Sequence, residues 1–89
     1  MIRRQVRYVG RVQGVGFRAT ARHVASGFAL TGWVRNEPDG TVVLEAQGPP
    51  DELDRFLAAL AQRMRSNITS ATTAVTATVP GESGFRIER

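Results

Sequence analysis

The sequence predicts an α+β fold in which two helices cover one face of a four- to five-stranded, mostly antiparallel sheet. Two observations carry this prediction. Two segments repeat apolar residues at helical spacing, and the segments around them are short, rich in β-branched residues and bounded by turn formers. In addition, a chain of 89 residues with 42% hydrophobic composition can support only one compact core. We therefore expect residues 1–89 to form a single domain.

The first strand and the first helix are predicted on either side of a glycine-containing loop. Val6, Tyr8 and Gly10 alternate with mostly polar residues, which is typical of a half-buried strand. After the loop, apolar residues recur on one face of a helix that we expect over roughly residues 17–29. That face consists of Phe17, Ala21, Val24, Ala25 and Phe28.

A β-hairpin is predicted next. The segments 31–36 and 41–47 are rich in β-branched residues and flank the sequence 37–40, which contains Pro38 and an Asp-Gly pair. An Asp-Gly pair between two strand-like segments is a strong hairpin signal. We therefore expect these two strands to pair with each other.

The second helix and two further strands complete the predicted fold. Residues 48–52 place proline and acidic residues where a helix N-terminus prefers them. The apolar face that follows consists of Leu53, Phe56, Leu57, Leu60 and Met64. Residues 71–79 alternate as in a strand, and residues 85–87 can add a short last one. This order of elements predicts a ferredoxin-like α/β sandwich, βαββαβ plus a short C-terminal strand.

The distribution of charge favours a site for a small anion. The net charge is +4, every basic residue is arginine, and seven arginines precede Glu37, the first acidic residue. Such a cationic half raises the local concentration of anions, although we expect most of these arginines to be solvated. The absence of cysteine excludes disulfides and thiolate chemistry. No apolar run resembles a signal peptide or a membrane span, so we expect a soluble, cytoplasmic protein. The length of the chain and its start at Met1 lead us to expect a free-standing protein.

The loop at residues 12–17 carries the features of a phosphate cradle. Gly14 and Gly16 permit backbone conformations in which several N–H groups point into one concavity. The loop also precedes a helix N-terminus, where free N–H groups and the helix dipole favour an anion. Arg18 can bond two phosphate oxygens at once. A tight strand-to-helix turn with a surface arginine would have the same features, so the loop alone leaves both interpretations open.

Two longer strings resemble the signatures of one family. Residues 10–18, Gly-Arg-Val-Gln-Gly-Val-Gly-Phe-Arg, resemble the first acylphosphatase signature at nearly every position, and residues 32–36, Gly-Trp-Val-Arg-Asn, resemble the second. Their separation fits as well. The resemblance continues through Asp39-Gly40 and Gly48 to the second helix, and so covers roughly the first two thirds of the chain. The C-terminal part is less similar, because residues 64–69 replace the Gly-Pro type of turn that members commonly carry there.

The resemblance implies hydrolysis of acyl phosphates to carboxylate and inorganic phosphate, without a metal or cofactor. By position, Arg18 would bind the phosphoryl group and Asn36 would hold the attacking water. Without the two motifs, Asn36 would be explained equally well as the strand-end residue that starts the 37–40 turn. The cradle would consist of the backbone amides of Gln13, Gly14, Val15, Gly16 and Phe17. The expected partners are a small acyl phosphate and inorganic phosphate as product and inhibitor. We expect a monomer that binds neither nucleic acid nor membrane.

Two other functions are compatible with a small basic domain of this fold. An RNA-recognition motif stacks bases on aromatic residues of its central strands, but residues 41–47 contain none and the first strand offers only Tyr8. A phosphate-sensing or interaction module that keeps the cradle without turnover is the second alternative. We expect Trp33 to serve packing and His23 to have no catalytic or metal role. The weakly apolar strand at 71–79 is expected to be the soft edge of the sheet.

Overall fold

The computed structural model describes residues 1–89 and contains two helices and five strands. In chain order these are β1 (Ile2–Gly10), α1 (Phe17–Ala25), β2 (Thr31–Asn36), β3 (Val42–Gly48), α2 (Pro50–Arg63), β4 (Ile68–Thr76) and β5 (Phe85–Ile87). The strands form one sheet in the order β4-β1-β3-β2-β5. Every neighbouring pair is antiparallel except β2 and β5, which are parallel. The predicted ferredoxin-like sandwich and its mostly antiparallel sheet are confirmed.

The hydrophobic core lies between the sheet and the two helices, which pack on the same face. Successive strand residues point to opposite faces, and alternate residues of β1 and β3 point toward the helices. The core includes Val6, Tyr8, Val34, Val42 and Leu44 from the strands and Phe17, Ala21, Ala25, Leu53, Phe56 and Leu60 from the helices. The Phe56 ring contacts Phe28 and Phe85 at centroid distances of 6.2 and 5.7 Å. The segment after α1 and the last strand therefore join the same core.

Helix α1 ends at Ala25, earlier than the predicted end near residue 29. Ser26 follows, and its hydroxyl donates to a backbone carbonyl of the last turn, while Gly27 opposes continuation of a helix. Phe28 nevertheless packs against the core. The apolar spacing continued past the helix because a residue beyond its end still faces the same core.

Strand β4 spans Ile68–Thr76, whereas the sequence predicted a strand at residues 71–79. It pairs with β1 from Ile68, opposite Gly10, to Thr76, opposite Arg3. Its ends are thus set by its partner and not by its own alternation. Neither of its faces is buried, because the helices pack over β2, β3 and β5 and not over β4. Val75, for example, is 70% exposed. As a result, β4 forms an open edge.

The sheet face opposite the helices is closed by a polar network around Arg3. The arginine side chain is 1% exposed, which makes Arg3 an exception to the expectation that most of the N-terminal arginines are solvated. The chain between β4 and β5 joins the two edges of the sheet across this face and brings Glu82 to Arg3. Arg3 donates from Nη1 to Glu82 at 2.7 Å and from Nε to Glu45 in β3. The Thr31 hydroxyl donates to the same Glu82 carboxylate at 2.8 Å.

These hydrogen bonds make the contribution of Glu82 dependent on pH. The bond from Arg3 is the main cause that holds the pKa of Glu82 below its ordinary value of 4.5. A carboxyl whose pKa is lower in the folded than in the unfolded chain stabilises the fold above the unfolded value. That stabilisation is lost as the pH falls through the folded value.

We expect Glu82→Gln to lower the free energy of unfolding at neutral pH by about 1.5–3 kcal/mol, the size of a hydrogen bond to a charged group. Below the folded pKa of Glu82 the wild-type carboxyl is itself neutral, so the stabilities of the two proteins should converge. Urea unfolding over a range of pH measures both effects.

The matched control for this prediction is Glu88→Gln. Glu88 pairs with Arg86, whose side chain is 50% exposed, and exposed pairs contribute little. Its loss should therefore change the stability by less than about 1 kcal/mol. A difference between wild type and Glu82→Gln that stayed constant over the whole pH range would contradict the assignment to Glu82.

Candidate active site

The register of the three central strands determines which residues meet at the site. Val42 in β3 lies opposite both Tyr8 in β1 and Asn36 in β2, so these three residues form one row across the sheet. Beyond this row β1 continues only to Gly10. The loop that follows β1, residues 11–16, therefore begins at the same end of the sheet as Asn36, and it lies close to Asn36 although the two are distant in sequence.

The loop takes a shape that depends on two glycines. Gly14 has a φ of +75° and Gly16 a φ of +79°, in the left-handed region that glycine enters most readily. An added Cβ at either position would meet no atom within 4 Å, so backbone conformation and not space favours glycine. The backbone amides of residues 13–16 donate no hydrogen bond to another backbone group. The first amides of α1 also lack intrahelical acceptors, so several donors are available to an anion.

Arg18, in the first turn of α1, carries a charge that no carboxylate neutralises. Six arginines form ion pairs: Arg3, Arg4, Arg7, Arg35, Arg55 and Arg86. Arg18 is half-buried, whereas the other unpaired arginines, Arg11, Arg22, Arg63, Arg65 and Arg89, are exposed. A partly desolvated guanidinium without a carboxylate partner is well suited to bind an oxyanion through paired N–H groups.

Asn36 ends β2 and holds a hydrogen-bond acceptor without a donor. Its Oδ1 atom is buried and has no partner within the protein. Most buried polar atoms are paired, and leaving one unpaired costs about 1–3 kcal/mol. The one other side-chain atom in this condition is Oγ1 of Thr76, in β4. The Asn36 amide oxygen is thus free to accept a hydrogen bond from a water molecule or a ligand.

One cavity of about 230 Å³ brings most of the predicted site residues together. Five of them line it: Gly14, Gly16, Phe17, Arg18 and Asn36. Gln13 and Val15 were also predicted for the cradle but do not line the cavity. The remaining lining residues, Val12, Ala19 and Ile87, are apolar and were not predicted. Ile87 lies in β5, and no local pattern connects it with the loop, because only the parallel pairing of β5 with β2 brings it there.

No carboxylate lines this cavity, so Arg18 and the amide donors determine its charge. The acidic residues that follow Asn36 are held by other partners. Glu37 pairs with Arg35 at 2.9 Å. Asp39 accepts hydrogen bonds from the hydroxyl and the amide of Thr41, which hold its pKa below the ordinary value. The cavity therefore presents a positive potential to a small anion.

Three other side chains with possible chemistry take no direct part in the cavity. The Tyr8 ring packs on Phe17 at 4.8 Å, and burial raises the pKa of its hydroxyl, which stays protonated at neutral pH. His23 lines a separate groove of about 500 Å³ between the helices. Trp33 is buried against Arg35, whose guanidinium lies 4.6 Å from the ring centroid, so its expected packing role is confirmed.

The structure holds neither a cluster of metal-binding side chains nor a helix fit to span a membrane. The chain contains no group of three or more His, Cys, Asp or Glu residues arranged to hold a metal ion. Neither helix has the length and the apolar character that crossing a membrane requires.

Comparisons with known proteins agree on one family. The family model described as Acylphosphatase matches residues 4–87. A curated acylphosphatase of Salinibacter ruber is 52% identical over 60 residues, which cover 67% of this chain and 63% of that protein. One of Pediococcus pentosaceus is 54% identical over 48 residues, covering 54% of this chain and 53% of that protein. The match thus spans less than two thirds of the length of these relatives.

Two solved structures are similar over nearly the whole chain. The crystal structure of acylphosphatase from Bacillus subtilis superposes with a TM-score of 0.88 at 31% identity, and the similarity covers 100% of both chains. The structure of an acylphosphatase from Coxiella burnetii gives a TM-score of 0.84 at 28% identity, covering 98% of this chain and 92% of the other. The C-terminal part of the chain, whose sequence resembles the acylphosphatase family less closely, therefore shares the fold of these two proteins.

We expect Gly16→Ala to weaken the binding of inorganic phosphate to the loop, because a left-handed residue with a Cβ costs about 1–2 kcal/mol and the loop would relax from the shape that exposes its amides. Titration calorimetry measures the affinity. Gly27→Ala is the matched control, since Gly27 follows α1 and does not have a positive φ. Equal phosphate affinity in the two variants would contradict the role given to the loop shape.

Proposed function

The chain belongs to the acylphosphatase family, and on this basis we propose that it hydrolyses the carboxyl–phosphate anhydride of acyl phosphates to carboxylate and inorganic phosphate. One observation carries the proposal beyond family membership. The buried, unpartnered Oδ1 of Asn36 and the unpaired guanidinium of Arg18 line the same small cavity. One group can hold a water molecule and the other can hold a phosphoryl group, which are the two reactants of the hydrolysis.

The phosphoryl group binds to the loop and to Arg18. The amides of residues 13–17 supply N–H donors, and the Arg18 guanidinium can donate two parallel hydrogen bonds to phosphate oxygens. These donors are fixed before the substrate arrives, so they stabilise the charge on the equatorial oxygens in the transition state without reorganisation. Removal of one such donor typically costs about 3–4 kcal/mol of transition-state stabilisation.

Asn36 orients the water. Its Oδ1 accepts a hydrogen bond from the water, which directs a lone pair of the water oxygen at phosphorus, in line with the leaving group. The new P–O bond forms while the bond from phosphorus to the acyl oxygen breaks, and the carboxylate leaves with the electron pair. An amide is too weak a base to remove a proton outright, so the proton of the water passes to an oxygen of the phosphoryl group.

This chemistry needs neither a strong base nor a metal. A carboxylate is a good leaving group, and phosphoryl transfer asks the protein chiefly for positioning and charge stabilisation. Arg18 and the amide dipoles supply the positive charge. We propose further that residues 1–89 act as one domain and as a monomer in the cytoplasm, with inorganic phosphate as product and competitive inhibitor and with no nucleic-acid partner.

The helix-free face of the sheet, which an RNA-binding domain of this fold would use, favours RNA binding less than the cavity favours hydrolysis. In an RNA-recognition motif, bases stack on aromatic residues of the helix-free sheet face. In this chain, the segment with Glu82 crosses that face, and Trp33 is only 9% exposed. The arginines Arg3, Arg7, Arg35 and Arg86 of the same face are paired with carboxylates. Neither a stacking platform nor free charge is left for an RNA strand.

We expect the wild type to hydrolyse benzoyl phosphate in the presence of a chelator, with competitive inhibition by inorganic phosphate. Arg18→Ala should raise both KM and the inhibition constant for phosphate and should lower kcat, because Arg18 contacts the phosphoryl group. Asn36→Ala should mainly lower kcat, because it removes orientation of the water and not a substrate contact. Steady-state kinetics measures all three constants.

Arg22→Ala is the matched control for Arg18→Ala. Arg22 lies one turn further along α1, is exposed and is unpaired, so its removal changes the net charge equally and should leave kcat nearly unchanged. No turnover by the wild type above the uncatalysed rate would refute the proposed activity. Absence of turnover together with retained phosphate binding would favour the phosphate-sensing alternative.

A further inference from the structure

The side chain of Gln13 makes the hydrogen bonds that join the loop at residues 11–16 to the β2–β3 hairpin. Its Nε2 donates to the backbone carbonyls of Glu37 at 2.8 Å and of Thr41 at 3.0 Å. The loop makes no other hydrogen bond to this hairpin. Resting on the proposed function, we infer that Gln13 is a positioning residue for the hydrolysis, because it holds the loop in register with Asn36, next to Glu37 in the chain.

The two carbonyls that Gln13 binds belong to a hairpin turn with internal bonds of its own. The Glu37 amide donates to the Thr41 carbonyl at 2.9 Å, and Asp39 accepts from the Thr41 amide at 3.0 Å. The Arg7 side chain in β1 donates to the Thr41 hydroxyl at 2.8 Å. These hydrogen bonds hold the end of the hairpin in one conformation, and the Gln13 side chain connects the loop to it.

The proposed reactants are held by two different parts of the protein. The amides of the loop and Arg18 belong to one continuous segment, the loop and the start of α1, and they hold the phosphoryl group. Asn36 belongs to the hairpin and holds the water. The angle and the distance between water and phosphorus therefore depend on how the two parts sit relative to each other. The side chain of Gln13 fixes that placement without contacting either reactant, and only its backbone amide belongs to the phosphate-binding donors.

This arrangement predicts a particular kinetic effect. Without the Gln13 side-chain bonds, the loop keeps its glycines and the helix keeps Arg18, so phosphate still binds. The water on Asn36 is then poorly aligned with the bound phosphoryl group. A misplacement of about 1 Å in a catalytic arrangement can cost up to about 100-fold in rate, so kcat falls while the affinity for phosphate changes little.

The test compares Gln13→Met with Gln47→Met. Gln47 also binds backbone groups of a distant segment, accepting from the Val79 amide at 2.7 Å and donating to the Val79 carbonyl at 3.1 Å, and it accepts from Arg3 at 3.3 Å, but it lies on the helix-free sheet face, away from the cavity. We expect both variants to lose thermal stability, and Gln47→Met at least as much as Gln13→Met. Only Gln13→Met should lower kcat for benzoyl phosphate, by about 10-fold or more, with the inhibition constant for phosphate within about twofold of wild type. Equal kcat in wild type and Gln13→Met would overturn the inference.

A second measurement separates positioning from a general structural role. If Gln13 acts through Asn36, Gln13→Met should lower kcat much less in an Asn36→Ala background than in the wild type, since residues that act as a unit are not additive. The same fold-loss in both backgrounds would overturn the inference.

A third measurement does not depend on activity. The side-chain amide signals of Asn36 in nitrogen-edited NMR spectra should shift in Gln13→Met and stay in place in Gln47→Met. Unchanged Asn36 signals in Gln13→Met would overturn the inference even if the enzyme is active. A wild type without turnover refutes the proposed function and this inference together, whereas an active wild type matched by Gln13→Met refutes the inference alone.

Discussion

The register that places Tyr8, Val42 and Asn36 in one row is the constraint on which the site depends. A slip of β2 by one residue would turn Asn36 to the helix-free face and would expose Val34, which is completely buried. Burial of Val34 and Val42 between sheet and helices therefore fixes the register. The hydrophobic core thus determines where the Asn36 amide stands relative to the loop, although few core residues reach the cavity themselves.

The helix-free face of the sheet contributes to the site from the other side. A two-layer sandwich leaves this face uncovered, and here the segment between β4 and β5 crosses it, held by Arg3 and Glu82. The same segment leads into β5, where Ile87 forms part of the apolar wall of the cavity. A buried ion pair on one face of the sheet and a lining residue on the other are therefore linked through a single connection.

Local sequence patterns predicted the helices, the hairpin and the fold because the burial of an amphipathic face repeats within each element. They failed where partners are distant. The ends of β4 follow from its pairing with β1, and the burial of Arg3 depends on Glu82, 79 residues away. Arg18 and Asn36 were predicted as site residues from the resemblance of two motifs and their spacing, since neither residue is distinctive alone, and both line the same cavity. For Gln13 the sequence indicated only a backbone amide, because its side-chain acceptors are carbonyls that any residue type could provide.

The unpartnered oxygen of Asn36 creates a trade-off between the stability of the fold and the proposed activity. Without a hydrogen-bond donor this buried acceptor would destabilise the fold by a substantial fraction of the net stability of a small domain, and the water molecule that it is proposed to hold offsets that burden. A side chain without a buried acceptor would relieve that burden and would end the orientation of water. Replacement of Asn36 by an apolar residue of similar size would therefore favour the stability of the fold at the expense of the proposed activity.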